Sequence, residues 1–271
     1  MSLVSTDNFV LTSLNVDANA PFIGYDNHVT EGTLSSSESP NPSFPLSRLA
    51  NDATNLFWKS SNNNLQYIDV ADIDFEIDYV GIAYHNFGSG GFRFWLEGSW
   101  DGGDTYFTLV SEARKANDRA ILFRFAVQYL TNVRIWIDPE DGPVPYASVL
   151  FAGRSLLLPR NIYVGYSPIT MARQSKTNNA KSESGHFLGR LTTGRSSQSG
   201  FTMNNIEAFW MRQYMLPFLS YAEDSAFFFA WRPVRYPFEV GYCWLIDDPL
   251  PRNDQPNGMM SITLNMGGLV P

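Results

Sequence analysis

The stretch Phe92–Arg93–Phe94–Trp95–Leu96–Glu97, followed by Gly98–Ser99–Trp100 and then Asp101–Gly102–Gly103–Asp104–Thr105, decides the fold class. Phe92, Phe94 and Leu96 fall on one side of a period-two pattern, with Arg93 and Trp95 on the other. That alternation is the mark of a half-buried strand. The Asp/Gly cluster that follows is turn chemistry, and Thr105 to Val110 resumes a strand beyond it.

Working outward, the same texture recurs. Leu56 to Lys59, Leu65 to Val70 and Asp78 to Tyr84 precede the stretch, and Ile121 to Ala126, Val133 to Ile137 and Ala147 to Gly153 follow it. Short strands at this spacing, separated by Gly, Asp and Asn, predict an antiparallel β-sandwich. Gly88–Ser89–Gly90–Gly91 and Asp101–Gly102–Gly103 are read as hairpin turns. Phe9 to Leu14 is a further expected strand. The Asn-, Ser- and Pro-rich segment from Asp17 to Asn41 reads as an irregular arm.

Leu156–Leu157–Leu158–Pro159–Arg160 marks a change of texture, and a domain boundary is placed there: residues 1–155 as arm and sandwich, residues 156–271 as a second β domain. In that second part Thr170 to Gly185 reads as a polar loop. Strands are expected near His186–Leu191, Arg195–Met203, Ala226–Trp231, Phe238–Leu245 and Gly258–Met266. In the last of these Met260, Ile262, Leu264 and Met266 share a side. One helix is predicted near residues 205–220. Asn204 or Asn205 is its expected N-cap and Glu207 stands in the first turn. Ile206, Trp210, Tyr214 and Phe218 form its apolar face, and Pro217 should kink or end it.

Composition fits a packed β protein. Hydrophobic residues make up 44% of 271 and aromatics 15%, which excludes global disorder. The net charge of −8 disfavours binding to nucleic acid or to anionic lipid unless a local basic patch exists. The one candidate patch carries Arg173, Lys176, Lys181, Arg190 and Arg195, and a solvated loop is the plainer reading of it. Cys243 is the single cysteine, so no internal disulfide forms. No secretory signal is read at Met1 to Asn8, and no apolar run is long enough for a membrane-spanning helix. Synthesis in a reducing cytosol is the expectation.

Catalytic chemistry finds little support. His28, His85 and His186 lie at no metal-ligand spacing, and His85 is read as a structural histidine. Neither Gly88–Ser89–Gly90 nor Gly194–Arg195–Ser196 fits a nucleophile elbow. Asp69, Asp72, Asp74, Glu76 and Asp78 alternate with Ile73, Phe75 and Ile77, which predicts the solvent face of a strand. A glycosidase pair and a calcium site are the sharper readings of the same carboxylates. The expectation is therefore no enzyme, no cofactor and no metal. The remaining candidate contacts are Trp100, Asp101 and Tyr106, aromatics beside a polar turn that could hold a sugar by stacking and hydrogen bonding. Sheet packing and turn anchoring is the alternative.

Pro45–Leu46–Ser47–Arg48–Leu49, Leu56–Phe57–Trp58–Lys59–Ser60–Ser61, Gln66–Tyr67–Ile68–Asp69–Val70, Ile77 to Ala83 and the Phe94–Trp100 hairpin resemble the discoidin-type β-sandwich found in phage structural proteins. The resemblance runs from about Pro42 to Phe151, and it implies that Trp58 is core. Gly194 to Gly200, Met215–Leu216–Pro217–Phe218, Phe227 to Pro233, Val240 to Trp244 and Gly258 to Ser261 resemble tail-tip proteins of long, non-contractile-tailed bacteriophages, of the distal-tail or minor-tail kind. That resemblance implies a ring-forming β domain between tail tube and receptor-binding tip. Its partners would be copies of itself, other tail proteins and a host surface glycan, and its place the virion, after synthesis in the host cytoplasm. The Asp17–Asn41 arm and the Thr170–Gly185 loop are long enough to reach a neighbour. A stand-alone carbohydrate-binding sandwich is the alternative.

Overall fold

The computed structural model describes residues 3–5, 19–162, 164–253 and 257–269; the expected strand at Phe9 to Leu14 lies outside them. Strands are numbered in chain order. Three sheets stack as layers, and a helix covers the last.

The outer sheet has the order β3-β5-β10-β7-β8, formed by β3 (Thr33–Ser36), β5 (Gln66–Ala71), β10 (Asn132–Asp138), β7 (Arg93–Ser99) and β8 (Phe107–Arg114). Its register follows the predicted alternation. Ile135 sits opposite Ile68 and Leu96, and Ile137 opposite Phe94, all pointing inward. Trp136 sits opposite Tyr67 and Trp95, and Arg134 opposite Asp69 and Glu97, all on the solvent side.

The middle sheet has the order β1-β9-β6-β11-β4, from β1 (Leu3–Ser5), β9 (Ile121–Leu130), β6 (Phe75–His85), β11 (Tyr146–Gly153) and β4 (Trp58–Lys59). It is antiparallel apart from the β1–β9 edge pair, which runs parallel. Its central strand is buried on both faces from Ile77 to Ala83. Ile77, Val80 and Ile82 join the core shared with the outer sheet, together with Trp58, which is buried. Tyr79 and Ala83 turn the other way, toward the third sheet. A strand covered twice reads as continuous apolar sequence, as Tyr79–Val80–Gly81–Ile82–Ala83 does.

The third sheet has seven strands in the order β12-β2-β15-β16-β17-β14-β13. These are β12 (Ser155–Leu157), β2 (Phe22–Gly24), β15 (Phe227–Ala230), β16 (Val240–Leu245), β17 (Met260–Gly268), β14 (Phe187–Ile206) and β13 (Arg173–Lys181). Phe22, Phe228, Ala230, Val240 and Tyr242 pack onto Tyr79, Leu122, Val149 and Phe151 of the middle sheet. The opposite face carries Phe201, Met203, Phe227, Phe229, Ile262, Leu264 and Met266, all beneath the helix.

Several expectations are corrected. The Asp17–Asn41 segment is not an irregular arm from Asn19 onward. It supplies β2, a 3-10 turn at His28–Thr30 and β3, elements of three or four residues that are too short to show a period. Thr170–Gly185 is not a loop: β13 occupies most of it. The strands expected at His186–Leu191 and Arg195–Met203 are one 20-residue strand. Gly88 to Gly91 is no hairpin turn either, because it carries the chain from the middle sheet to the outer one.

The helix α1 spans 208–222, and Glu207 rather than Asn204 or Asn205 is its N-cap residue. Asn205 instead takes a left-handed backbone, with φ 57°. The middle turn, Met211–Met215, is a π-turn, in which Leu216 N–H donates to Met211 C=O. Pro217 has no N–H to give to the carbonyl four residues earlier. The wider turn before it accommodates that loss, so the helix continues to Ala222. The inserted residue also rotates the buried face. Met211, Met215, Phe218 and Leu219 pack inward, while Tyr214 is exposed and Trp210 only half-buried.

Candidate functional site

The β7–β8 connection brings Trp100, Asp101 and Tyr106 together along the chain but commits two of them internally. Both oxygens of the Asp101 carboxylate are in use. Oδ1 accepts from Ser99 Oγ at 2.6 Å and from Thr105 N–H at 3.0 Å, and Oδ2 accepts from Thr105 Oγ1 at 2.5 Å. Those bonds hold the carboxyl at a pKa of about 2, below the usual range, with the Ser99 hydroxyl contributing most. Tyr106 donates its hydroxyl to Asp69 Oδ1 at 2.8 Å, and the Arg134 guanidinium covers its ring at 3.5 Å. Trp100 remains 59% exposed and leans on Phe107, ring centroids 4.5 Å apart. Of the three, Trp100 alone presents an uncommitted ring surface.

The solvent face of the outer sheet carries a polar and aromatic lattice that alternation alone does not announce. Asp69 is buried and also accepts from Asn132 Nδ2 and Arg134 Nε. Arg134 lies between the rings of Tyr67 and Tyr106. Glu97 accepts from both indoles, Trp136 Nε1 at 2.7 Å and Trp95 Nε1 at 3.3 Å. The two indoles stack nearly parallel, 5.4 Å apart at 11°. Each ring is met by a ring or a cation of the same face, so the lattice stiffens the sheet. The signal for it lies in the pairing: Asp69, Arg134 and Glu97 become one row only once the register of three strands is known.

The acidic run divides into two groups. Asp69 and Asp78 are both buried: Asp69 keeps to the solvent side of its sheet but is covered by its own polar and aromatic neighbours, whereas Asp78 departs from the expected solvent-facing row. Asp78 accepts from Ser155 N–H and Oγ, tying β6 to β12 across two layers, and burial raises its pKa. A β-bulge between Ile77 and Tyr79 breaks the alternation there. Asp72, Asp74 and Glu76 are exposed, so they do not form the cleft that a glycosidase pair requires. Among the described residues no group of three or more His, Cys, Asp or Glu is placed to hold a metal ion.

His85 is buried and both ring nitrogens meet backbone: Nε2 meets Arg119 C=O at 2.9 Å, and Nδ1 accepts from Phe87 N–H at 3.1 Å. Burial, with Lys115 nearby, lowers its pKa to about 3. The Lys115 ammonium donates to the carbonyls of Arg119 and Ala120, and burial brings its pKa down to about 7. These two side chains shape the β8–β9 connection. Cys243 is fully buried, and burial pushes its thiol pKa up, which makes it a poor nucleophile.

The hairpin of β13 and β14 leaves the body of the third sheet. Every residue of β13 but one is exposed, and so is β14 from Phe187 to Ser196 apart from Gly189 and Gly194, which are half-buried. Phe187, Leu188 and Leu191 are each at least 64% exposed. A two-stranded ribbon is marginal in water on its own. The hairpin is also basic: residues 173–197 hold Arg173, Lys176, Lys181, Arg190 and Arg195 against Glu183, a net +4 within a chain of −8, so the remainder carries −12.

No protein-family model matches the chain, and no curated protein matches it. Solved structures similar to it include a carbohydrate-binding module of Clostridium perfringens in complex with GalNAc-β-1,3-galactose. It is 14% identical, covering 46% of this chain and 96% of that one, with a TM-score of 0.40. A family 32 carbohydrate-binding module of the same organism, in complex with galactose, is 14% identical over 50% of this chain and 99% of its own, with a TM-score of 0.41. A chitosan-binding module from a Paenibacillus chitosanase/glucanase is 15% identical over 47% and 98%, also at 0.41. The likeness is one of fold.

Proposed function

We propose that this chain is a structural assembly protein without enzymatic activity, in which the sandwich is a carrier and the third sheet engages neighbouring copies through its hairpin. The projecting β13–β14 ribbon carries this reading. It exposes three large apolar side chains and, among the described residues, the outer edge of β13 has no strand partner; an exposed edge of that length is a template for another strand. Its +4 complements the −12 of the rest of the chain, which favours a second copy as the neighbour. Together with the resemblance of the second half to tail-tip proteins, this points to a ring component of a long-tailed phage tail tip, located in the virion.

The test replaces residues 174–196 by a short turn. Light scattering and electron microscopy should show symmetric rings for the intact chain and a folded monomer for the trimmed one. Monomers of the intact chain at tens of micromolar, or rings unchanged by trimming, would refute the assembly role.

A second reading rests on Trp100, the exposed ring at the β7–β8 tip: glycan contact by the sandwich. Binding on a glycan array that disappears in Trp100→Ala would support it; no binding, or binding unchanged in that variant, would remove it.

A further inference from the structure

One end of the middle sheet meets the third sheet across a cavity of about 530 Å³, a size common for small-molecule sites. Its walls come from both halves of the chain. Tyr84 and Tyr146 stand on one side, the β8–β9 connection around Arg119 on another, and Thr170 with Tyr242 on the third-sheet side. We infer that this cavity binds a small ring-bearing carboxylate, held by the Arg119 guanidinium and packed against Tyr84 and Tyr146.

Four observations support this assignment. First, the Arg119 guanidinium has no ion-pair or hydrogen-bond partner among the described residues. The Asp118 carboxylate, on the same wall, is already engaged: its Oδ1 accepts from Gly88 N–H at 2.9 Å and Ser89 N–H at 2.8 Å. The unpaired Arg119 guanidinium is therefore the charge this wall offers to an anion. A guanidinium fork matches a carboxylate in geometry as well as charge.

Second, Thr170 Oγ1 on the wall is buried and has no hydrogen-bond partner. A buried hydroxyl left unpaired costs about 1–3 kcal/mol, and a ligand oxygen in the cavity would satisfy it. Third, Tyr84 has φ 52° inside a strand, a strained conformation for a bulky residue. Tyr84 is 42% exposed and lines the cavity, its ring 6.1 Å from that of Tyr146 and tilted at 48°, while the residues just before it in the strand are buried. Fourth, Tyr242, Val240 and Leu269 make the deep side apolar, which suits the body of a ring rather than a free inorganic ion.

An acidic monosaccharide and an aromatic acid share this chemistry, and the experiment separates them. Ligand-observed saturation-transfer NMR on the full chain would use glucuronate and benzoate as probes, with glucose and benzyl alcohol as neutral counterparts. At least one carboxylate should bind in the low-millimolar range or tighter, with its neutral counterpart at least tenfold weaker. Arg119→Ala should weaken binding at least tenfold, and Arg119→Lys should recover part of it. Thr170→Val should weaken it by a few-fold while raising the unfolding midpoint of the ligand-free protein, because the unpaired hydroxyl is removed. Glucuronate alone binding identifies a sugar acid, and benzoate alone an aromatic acid. Neutral probes binding equally well, Arg119→Ala binding like the parent, or no binding of either acid would overturn the assignment. Far-UV circular dichroism of each variant excludes misfolding as the cause of a loss.

Discussion

Replacing Gly81 by alanine should destabilise the protein by about 1–3 kcal/mol, the usual cost of forcing a methyl into a packed core. A Cβ at Gly81 would stand 2.5, 2.6 and 2.8 Å from three carbons of the Phe228 ring. Ordinary carbon contacts lie at about 3.5–4.0 Å, so the ring would have to retreat by about 1 Å. It has no room to do so. Phe228 is fully buried, with Phe151 at 5.4 Å and Tyr242 at 5.0 Å. Phe228→Ala alone should cost about 3–5 kcal/mol through the cavity it leaves. In the double variant the new methyl enters that cavity, so the Gly81→Ala penalty should disappear. The coupling, about 1–3 kcal/mol and favourable, would exceed the 0.3–0.5 kcal/mol scatter of independent sites. Urea unfolding of the four proteins, followed by tryptophan fluorescence and far-UV circular dichroism, measures it. Additive penalties, or a neutral Gly81→Ala, would show that the middle and third sheets do not meet as described.

Two further outcomes are expected. His85 is held neutral to about pH 3 in the fold, whereas an unfolded histidine protonates near 6.5. Between those values the unfolded chain binds more protons, so the stability from this group is complete above pH 6.5 and is lost on acidification, by at most about 1.4 kcal/mol per pH unit; urea midpoints from pH 7 to 4 should fall less steeply in His85→Gln, and equal slopes would contradict the buried neutral imidazole. Asp101→Ala removes the acceptor for Thr105 N–H and the Ser99 hydroxyl, so amide exchange at Gly103 and Thr105 should accelerate at least tenfold while the β5 and β10 amides keep their protection, and unchanged exchange would mean that Asp101 does not hold the turn.

The sandwich was legible because most of its strands obey period two. The Phe94/Leu96 face and the Met260, Ile262, Leu264, Met266 row point inward as the alternation requires. Where the chain deceives, a local rule is outvoted by tertiary structure. Of the ribbon's two strands β14 is legible, but β13 has Ala180 as its one apolar residue and is exposed along almost its whole length, so no alternation marks it as a strand. Ile206 and Phe218 are buried as the four-residue spacing requires, but Trp210 and Tyr214 leave the buried face because a π-turn ahead of Pro217 shifts the phase, and a uniform 3.6 period cannot show that. Phe22–Ile23–Gly24 is three residues long, below any window that detects periodicity, and its role depends on partners more than 130 residues away in either pairing. The polar lattice of Asp69, Glu97 and Arg134, like the walls around Arg119, assembles residues from distant strands. No spacing along the chain encodes those meetings.

The position of β2 bears on how the molecule can be taken apart. Phe22–Gly24 lies between Ser155–Leu157 and Phe227–Ala230, so it bridges the third sheet from inside. A fragment cut at residue 156 would lose its own edge strand together with the bridging one and expose Phe228 to Ala230 as a bare acceptor groove. Residues 19–26, supplied as a separate peptide, are the natural complement to that groove. The same arrangement means that ribosomal synthesis can complete the two-sheet sandwich well before Met260–Gly268 emerges, leaving an early segment waiting for the last. Folding of the third sheet is thus a long-range closure with a high contact order, and the slow step is expected there.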